Sequence, residues 1–250
     1  MAGSSTTLQR GHLGATTRRD AWWLELIPIV LVLGGFSVYA TWRAFAGEYY
    51  EWGPYLSPFY SPLIKLRWWP LSPALLILWA PLGFRATCYY YRKAYYRAFF
   101  LDPPACSVGE SHPGSYKGET AFPLVLQNLH RYFLYVALLF LIILWYDALH
   151  AFWFDGHFGI GLGSLVLLAN IILLSLYTFS CHSLRHIVGG KVDCFSCVSF
   201  GKARHSAWSR ISFLNEHHML FAWLSLFSVG LADLYVLLVA SGSIQDLRLL

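Results

Sequence analysis

Three cysteines and two histidines fall within the twenty residues Thr178–Cys197, TFSCHSLRHIVGGKVDCFSC, where a long apolar run gives way to a basic segment. Thiolate and imidazole are the ligands of zinc sites and of Rieske-type [2Fe–2S] centres, in which one iron takes two thiolates and the other two imidazoles. The same residue types recur at Cys88, Cys106, His130 and His218. Water-soluble Rieske proteins gather their ligands as C-x-H and C-x-x-H pairs in loops. Neither pair occurs here, so a cluster must draw ligands from separate segments. Cys194-x-x-Cys197 has the spacing of half a zinc or cluster site, without a matching second pair. A b-type haem would instead take two histidines from facing helices.

The elements that must position these groups follow from hydropathy. The chain is 57% hydrophobic and 12% charged, about half the charged share of a soluble domain. A helix needs roughly 20 apolar residues to cross a hydrocarbon layer about 30 Å thick. Five runs qualify: Trp22–Ala46, Leu71–Tyr91, Leu126–His150, Gly161–Cys181 and Met219–Ala240. The expected fold is an all-α integral membrane protein, a bundle of five transmembrane helices over residues 22–241. Residues 1–21 read as a polar cytoplasmic arm rather than a cleaved signal, and 242–250 as a tail on the outer side.

Loops rich in Lys and Arg stay in the cytoplasm. With the N-terminus inside, only Arg43, Lys65, Arg67 and Arg248 of the 18 basic residues fall outside. Topology thus accounts for the net charge of +5 without nucleic-acid binding. All five cysteines then lie at or beyond the cytoplasmic face. Free thiols or metal ligands are expected there, not disulfides. Gly47–Pro70 is expected to form an irregular outer cap or a short interfacial helix. Leu101–Thr120 and Ile187–Asn215 are expected to be inner loops, sized to receive a partner protein.

Counting twenty residues along each run sets Cys88, His130, Cys181 and His218 at one depth, near the cytoplasmic edge of the bilayer. Arg85, Arg131 and Arg185 stand around that level. Ionisable groups at membrane depth are costly and point to function. Arg85, Cys88, Tyr89 and Arg92 share one helical face, and His182 and His186 share another. The first two runs hold no histidine, which disfavours a two-haem cytochrome b; one haem between His130 and His182 or His218 stays open. A quinone head needs a slot at the membrane edge and donors to its carbonyls. Trp23, Arg85, Tyr89, Arg131 and Tyr132 are at the right level for that role. The rival class is a non-redox, zinc-binding membrane scaffold or transporter. The apolar midplanes of the third and fifth runs weigh against transport.

The strings TCYYYRKAYYRAF, PPACSV, LQNLHRYF, YTFSCHSLRHIVGG and YLSPFYSPL resemble the membrane-anchor subunit of succinate dehydrogenase (complex II) from actinobacteria, over roughly residues 20–240. The resemblance implies a five-helix anchor in the bacterial plasma membrane. It would seat an iron–sulfur subunit and a flavoprotein subunit on the cytoplasmic face, in contact with membrane lipids and with room for a higher oligomer. Electrons from succinate would pass to a quinone, usually menaquinone. The sequence looks like the haem-poor branch of that group, which implies a Rieske-type [2Fe–2S] cluster rather than haem b. Carried over, the metal ligands would be two thiolates among Cys88, Cys106 and Cys181 and two imidazoles among His130, His182, His186 and His218.

Overall fold

A computed structural model describes residues 12–110, 120–122, 124–190 and 192–250. Arg10, Lys117 and Lys191, which enter the charge bias, lie outside the described residues. In chain order the elements are α1 (Leu26–Ala46), β1 (Glu51–Trp52), β2 (Tyr55–Leu56), α2 (Trp79–Ala86), α3 (Tyr89–Tyr95), α4 (His130–His150), β3 (Trp153–Phe154), β4 (His157–Phe158), α5 (Leu162–Phe179), α6 (His182–Gly189), α7 (Gly201–Glu216) and α8 (His218–Ala240). The chain divides into two compact units, one of Met1–Tyr39 with Cys88–Gln127 and one of Ala40–Thr87 with Asn128–Leu250.

Among the described residues four helical segments are long and apolar enough to cross a membrane: Trp22–Ala46, Leu124–His150, Leu162–Phe179 and His218–Ala240. They coincide with four of the five expected runs. The second run, Leu71–Tyr91, is not one helix. It breaks into a 3₁₀ turn at Pro73–Leu76, then α2, then α3. Proline lacks the N–H that a helix interior needs and crowds the carbonyl four residues back. Ser72 therefore caps the turn that Pro73 opens, and α2 restarts just ahead of Pro81. The part in the second unit still runs from end to end. Ser72 lies beside Gly47 at the exit of α1, and Thr87 hydrogen-bonds His130 at the start of α4. Midway, Gly83 lets α2 approach α4 so closely that a Cβ would collide with Phe133.

The core of the second unit lies between α4, α5 and α8. Leu141 and Ala148 meet Leu167, Ile171, Ala232 and Val236, with Tyr55 and Phe154 closing the hairpin end. Gly47–Pro70 forms the expected irregular cap, with the β1–β2 hairpin and no helix. Beneath it, Arg43 and Asp233 pair with both side chains wholly buried, Nε to Oδ2 at 2.8 Å. Ser57 Oγ donates to the same carboxylate, and Arg43 Nη1 donates to the Glu48 carbonyl at 3.0 Å.

The tail after α8 folds back onto this end, with Leu249 N donating to Ile160 O at 2.7 Å and Leu162 N to Leu247 O at 2.9 Å. Tyr55 Oη donates to Asp246 Oδ2 at 2.8 Å. Burial, reinforced by the Asp246 carboxylate, pushes the Tyr55 hydroxyl up to about 12. An unfolded chain titrates that group near 10. The folded value is the higher, so this contribution is complete below pH ~10 and is lost as pH rises through about 12. Tyr55→Phe should remove about 1.5–3 kcal/mol of tail docking, as expected for a hydrogen bond to a charged group. Faster amide exchange at Leu249, without that alkaline transition, is the expected readout.

Two expectations for the segment Ile187–Asn215 are corrected. It is not a loop: α6 extends through its first residues, and α7 fills its second half. Gly189 passes so close to Trp208 of α7 that a Cβ would collide, and Arg204 Nη2 holds the Val188 carbonyl at 2.9 Å. Nor are its cysteines free, because Cys194 and Cys197 form a disulfide. The 3₁₀ turn at Phe195–Cys197 brings their Cα atoms to 5.3 Å, inside the bonding range, so geometry overrides the expectation from compartment.

In the first unit, the arm is tied down where it is described. Gly14 N and Gly109 O are 3.1 Å apart, Gly109 N reaches Ala15 O at 2.8 Å, and Arg18 Nη1 donates to Cys106 O at 3.0 Å.

Candidate metal and quinone site

Cys88 and Cys181, the two buried thiols, sit in matching local structures. Each has extended backbone, φ/ψ −67°/131° at Cys88 and −63°/132° at Cys181, between a helix that has ended and a short one that begins. Each follows a hydroxyl residue that closes the preceding helix. Thr87 Oγ1 donates to Gly83 O at 2.7 Å, and Ser180 Oγ donates to Tyr177 O at 2.9 Å.

Those hydroxyls also meet the buried imidazoles, Thr87 Oγ1 with His130 Nδ1 at 2.9 Å and Ser180 Oγ with His218 Nδ1 at 2.7 Å. A hydroxyl has one proton to donate. With each hydroxyl proton assigned to the backbone carbonyl it reaches, both hydroxyls would accept from Nδ1–H. His130 and His218 are therefore held as the tautomer whose Nε2 carries a lone pair. That is the form in which imidazole binds metal, with its other nitrogen donating to a fixed acceptor. His130 Nε2 faces Cys181 Sγ at 3.2 Å. Phe84 stacks on His130 with centroids 4.8 Å apart, and Tyr177 stacks on His218 at 5.1 Å. Asn215 Nδ2 holds the Ser180 carbonyl at 2.7 Å.

The other expected ligands differ in setting. His182 and His186 are exposed on α6, the latter with Nδ1 3.4 Å from an Arg131 Nη. Cys106 is exposed. Among the described residues no three His, Cys, Asp or Glu side chains converge as a metal-binding group. The donors of the second unit meet as the His130–Cys181 pair. Within the second unit the donor types are those of a Rieske-type centre, a buried thiol at Cys181 and buried imidazoles at His130 and His218.

Of the expected quinone residues, Arg85 is the one drawn into this region of the second unit. Its guanidinium lies over the Tyr177 ring at 4.9 Å and donates to Ser225 Oγ at 3.2 Å and Ala222 O at 3.4 Å. Arg131 and Tyr132 are exposed on α4. In the first unit Trp23 is exposed, and exposed Tyr89 lies under the Arg92 guanidinium at 5.2 Å. Sequence reasoning missed Thr87 and Ser180. Their signal was a hydroxyl residue directly before each buried cysteine.

If these imidazoles ligate a metal and the hydroxyls fix them, Thr87→Val and Ser180→Ala should each weaken its retention roughly 10–100-fold, as outer-shell changes do. Metal content of the purified protein after graded chelation is the readout.

Apolar helices of spanning length, with a polar cap at one end of the second unit and a buried thiol and imidazoles at its other, define a multi-pass membrane protein with a ligand-bearing end. The family model for the actinobacterial succinate dehydrogenase subunit SdhC matches residues 24–242, and the chain belongs to that family. It is a membrane-anchor subunit of succinate dehydrogenase, not catalytic by itself. A chain of the Mycobacterium smegmatis Sdh1 complex in the apo form is 44% identical, with a TM-score of 0.84 and 94% of each chain covered. No curated protein matches.

Proposed function

We propose that this anchor crosses the plasma membrane five times, N-terminus inside and C-terminus outside. We propose further that it conducts electrons from succinate oxidation to a quinone, menaquinone by its resemblance, through a Rieske-type [2Fe–2S] centre. Its partners are the iron–sulfur and flavoprotein subunits, which the charge bias assigns to the cytoplasmic side. The four long helices and the broken run Ser72–Thr87 support five passes. The observation that carries the redox reading is the pair of imidazoles locked by Thr87 and Ser180, one of them against a buried thiol.

Cys181, His130 and His218 would supply three ligands. For the second thiolate the resemblance offers Cys88 or Cys106, and counting along the sequence sets Cys88 at the depth of Cys181. When bound, such a centre supplies one-electron transfer at a potential raised by its imidazole ligands. The chain's own residues do the rest. Thr87 and Ser180 hold the Nδ1 protons. Phe84 and Tyr177 flank the imidazoles and exclude water. The Arg85 cation stabilises negative charge that develops on reduction. A haem is the second reading: the first two apolar runs hold no histidine, and His182, one of the two partners open to His130, is exposed.

Arg85 and Arg131 are the cations assigned to the quinone head. Arg85→Gln and Arg131→Gln should each cut quinone reduction roughly 10–100-fold, the worth of a hydrogen bond from a charged donor. Succinate oxidation by an artificial acceptor should be unchanged. Wild-type quinone reductase activity in both variants would remove this quinone site.

A further inference from the structure

At the capped end of the second unit, the segment between the β1–β2 hairpin and Pro73 encloses a cleft of about 280 Å³. Lys65 and Arg67 supply its charge, and Ile64, Leu66, Trp69 and Leu71 its apolar wall. We infer that this cleft binds the headgroup of an anionic phospholipid, with the acyl chains lying along the adjoining apolar surface.

Of the four basic residues assigned to the outer side, two are occupied. Arg43 is neutralised by Asp233, and the Arg248 guanidinium lies over the Phe154 ring at 4.1 Å. Lys65 pairs with Glu51 at 3.1 Å, both more than half exposed, and its ammonium lies 5.6 Å from the Tyr50 ring centroid, contacts that at this exposure are weak and readily exchanged. Arg67 has no ion-pair partner among the described residues. One free and one loosely held cation therefore share a cleft of headgroup size. A guanidinium recognises a phosphate bidentately, and an ammonium adds a point charge.

The surroundings favour a lipid over free phosphate. Trp69 is fixed by donating Nε1–H to Ser72 O at 3.2 Å, and Trp68 packs edge-on against it at 5.9 Å. Trp68 is 73% exposed and Leu71 53%, an apolar flank that water would leave uncovered. Tryptophan beside Lys and Arg is the composition of the headgroup layer. The inference rests on the chain's spanning a membrane, not on its electron transfer.

The test is a titration of phosphatidylglycerol into the whole detergent-purified complex, followed by native mass spectrometry. Phosphatidylcholine and inorganic phosphate serve as comparison ligands. Saturable phosphatidylglycerol binding is expected, weakened about fivefold by each of Lys65→Gln and Arg67→Gln and roughly thirtyfold by both. Glu51→Gln, which releases Lys65, should tighten binding up to about fivefold. That gain keeps the inference falsifiable should the double variant fail to assemble. Wild-type affinity in the double variant, no gain from Glu51→Gln, equal binding of phosphatidylcholine, or full competition by inorganic phosphate would each overturn it.

Discussion

Replacing Asp233 with alanine should cost about 3–5 kcal/mol, the range for removing one partner of a buried ion pair. Arg43 would keep its charge while wholly buried, and Ser57 would lose its acceptor. Folded domains have only about 5–15 kcal/mol to lose, so little of this variant should accumulate as assembled complex. The compensating double variant Arg43→Met/Asp233→Leu separates charge from packing. A buried pair replaced by apolar groups of similar size is often neutral. Here recovery should be partial, because Arg43 also donates to the carbonyls of Glu48 and Tyr49 as the chain turns out of α1. The measurement is the melting temperature and yield of the membrane complex for Asp233→Ala and for the double variant.

Cys181→Ser and His130→Ala should abolish the proposed centre. The expected loss of metal exceeds the roughly 10–100-fold of outer-shell changes, because a ligand itself is gone. Quinone reduction by succinate should fall with the metal, while an artificial acceptor that draws electrons from the partner subunits still works. Cys106→Ser, at an exposed thiol whose backbone carbonyl alone is bonded to Arg18, should leave both activities intact. If all three variants behave alike, Cys181 has no special role. Conserving the hydroxyl offers a finer distinction: Thr87→Ser should retain the metal that Thr87→Val loses, since either hydroxyl can accept from His130 Nδ1–H.

Much of this was legible in the chain because membrane solvation imposes a simple rule on length and apolarity. The bounds expected for four helices lie within a few residues of those observed, for example Met219–Ala240 against His218–Ala240. The second run misled because a hydropathy count does not register that Pro73 and Pro81 interrupt hydrogen bonding. The helix α7 was hidden by its composition: GKARHSAWSRISFLNE carries no clean apolar stripe, and it is held instead by Trp208 against Gly189 and by Arg204 on Val188. Depth counting placed His130, Cys181 and His218 at one level, and the structure puts His130 against Cys181. Depth alone does not report which way an imidazole faces, so the hydroxyls of Thr87 and Ser180 passed unnoticed. The Arg43–Asp233 pair joins residues 190 apart. Each was visible as a charge within an apolar run, but nothing local links one to the other.

The most direct test is electron paramagnetic resonance of the dithionite-reduced whole complex, read beside its iron and acid-labile sulfide content. The wild-type complex should give a signal of low average g, additional to those of the partner subunits, that disappears in Cys181→Ser together with the matching iron and sulfide. A spectrum and metal content identical in wild type and Cys181→Ser, or zinc in place of iron, would contradict an electron relay at this end of the anchor.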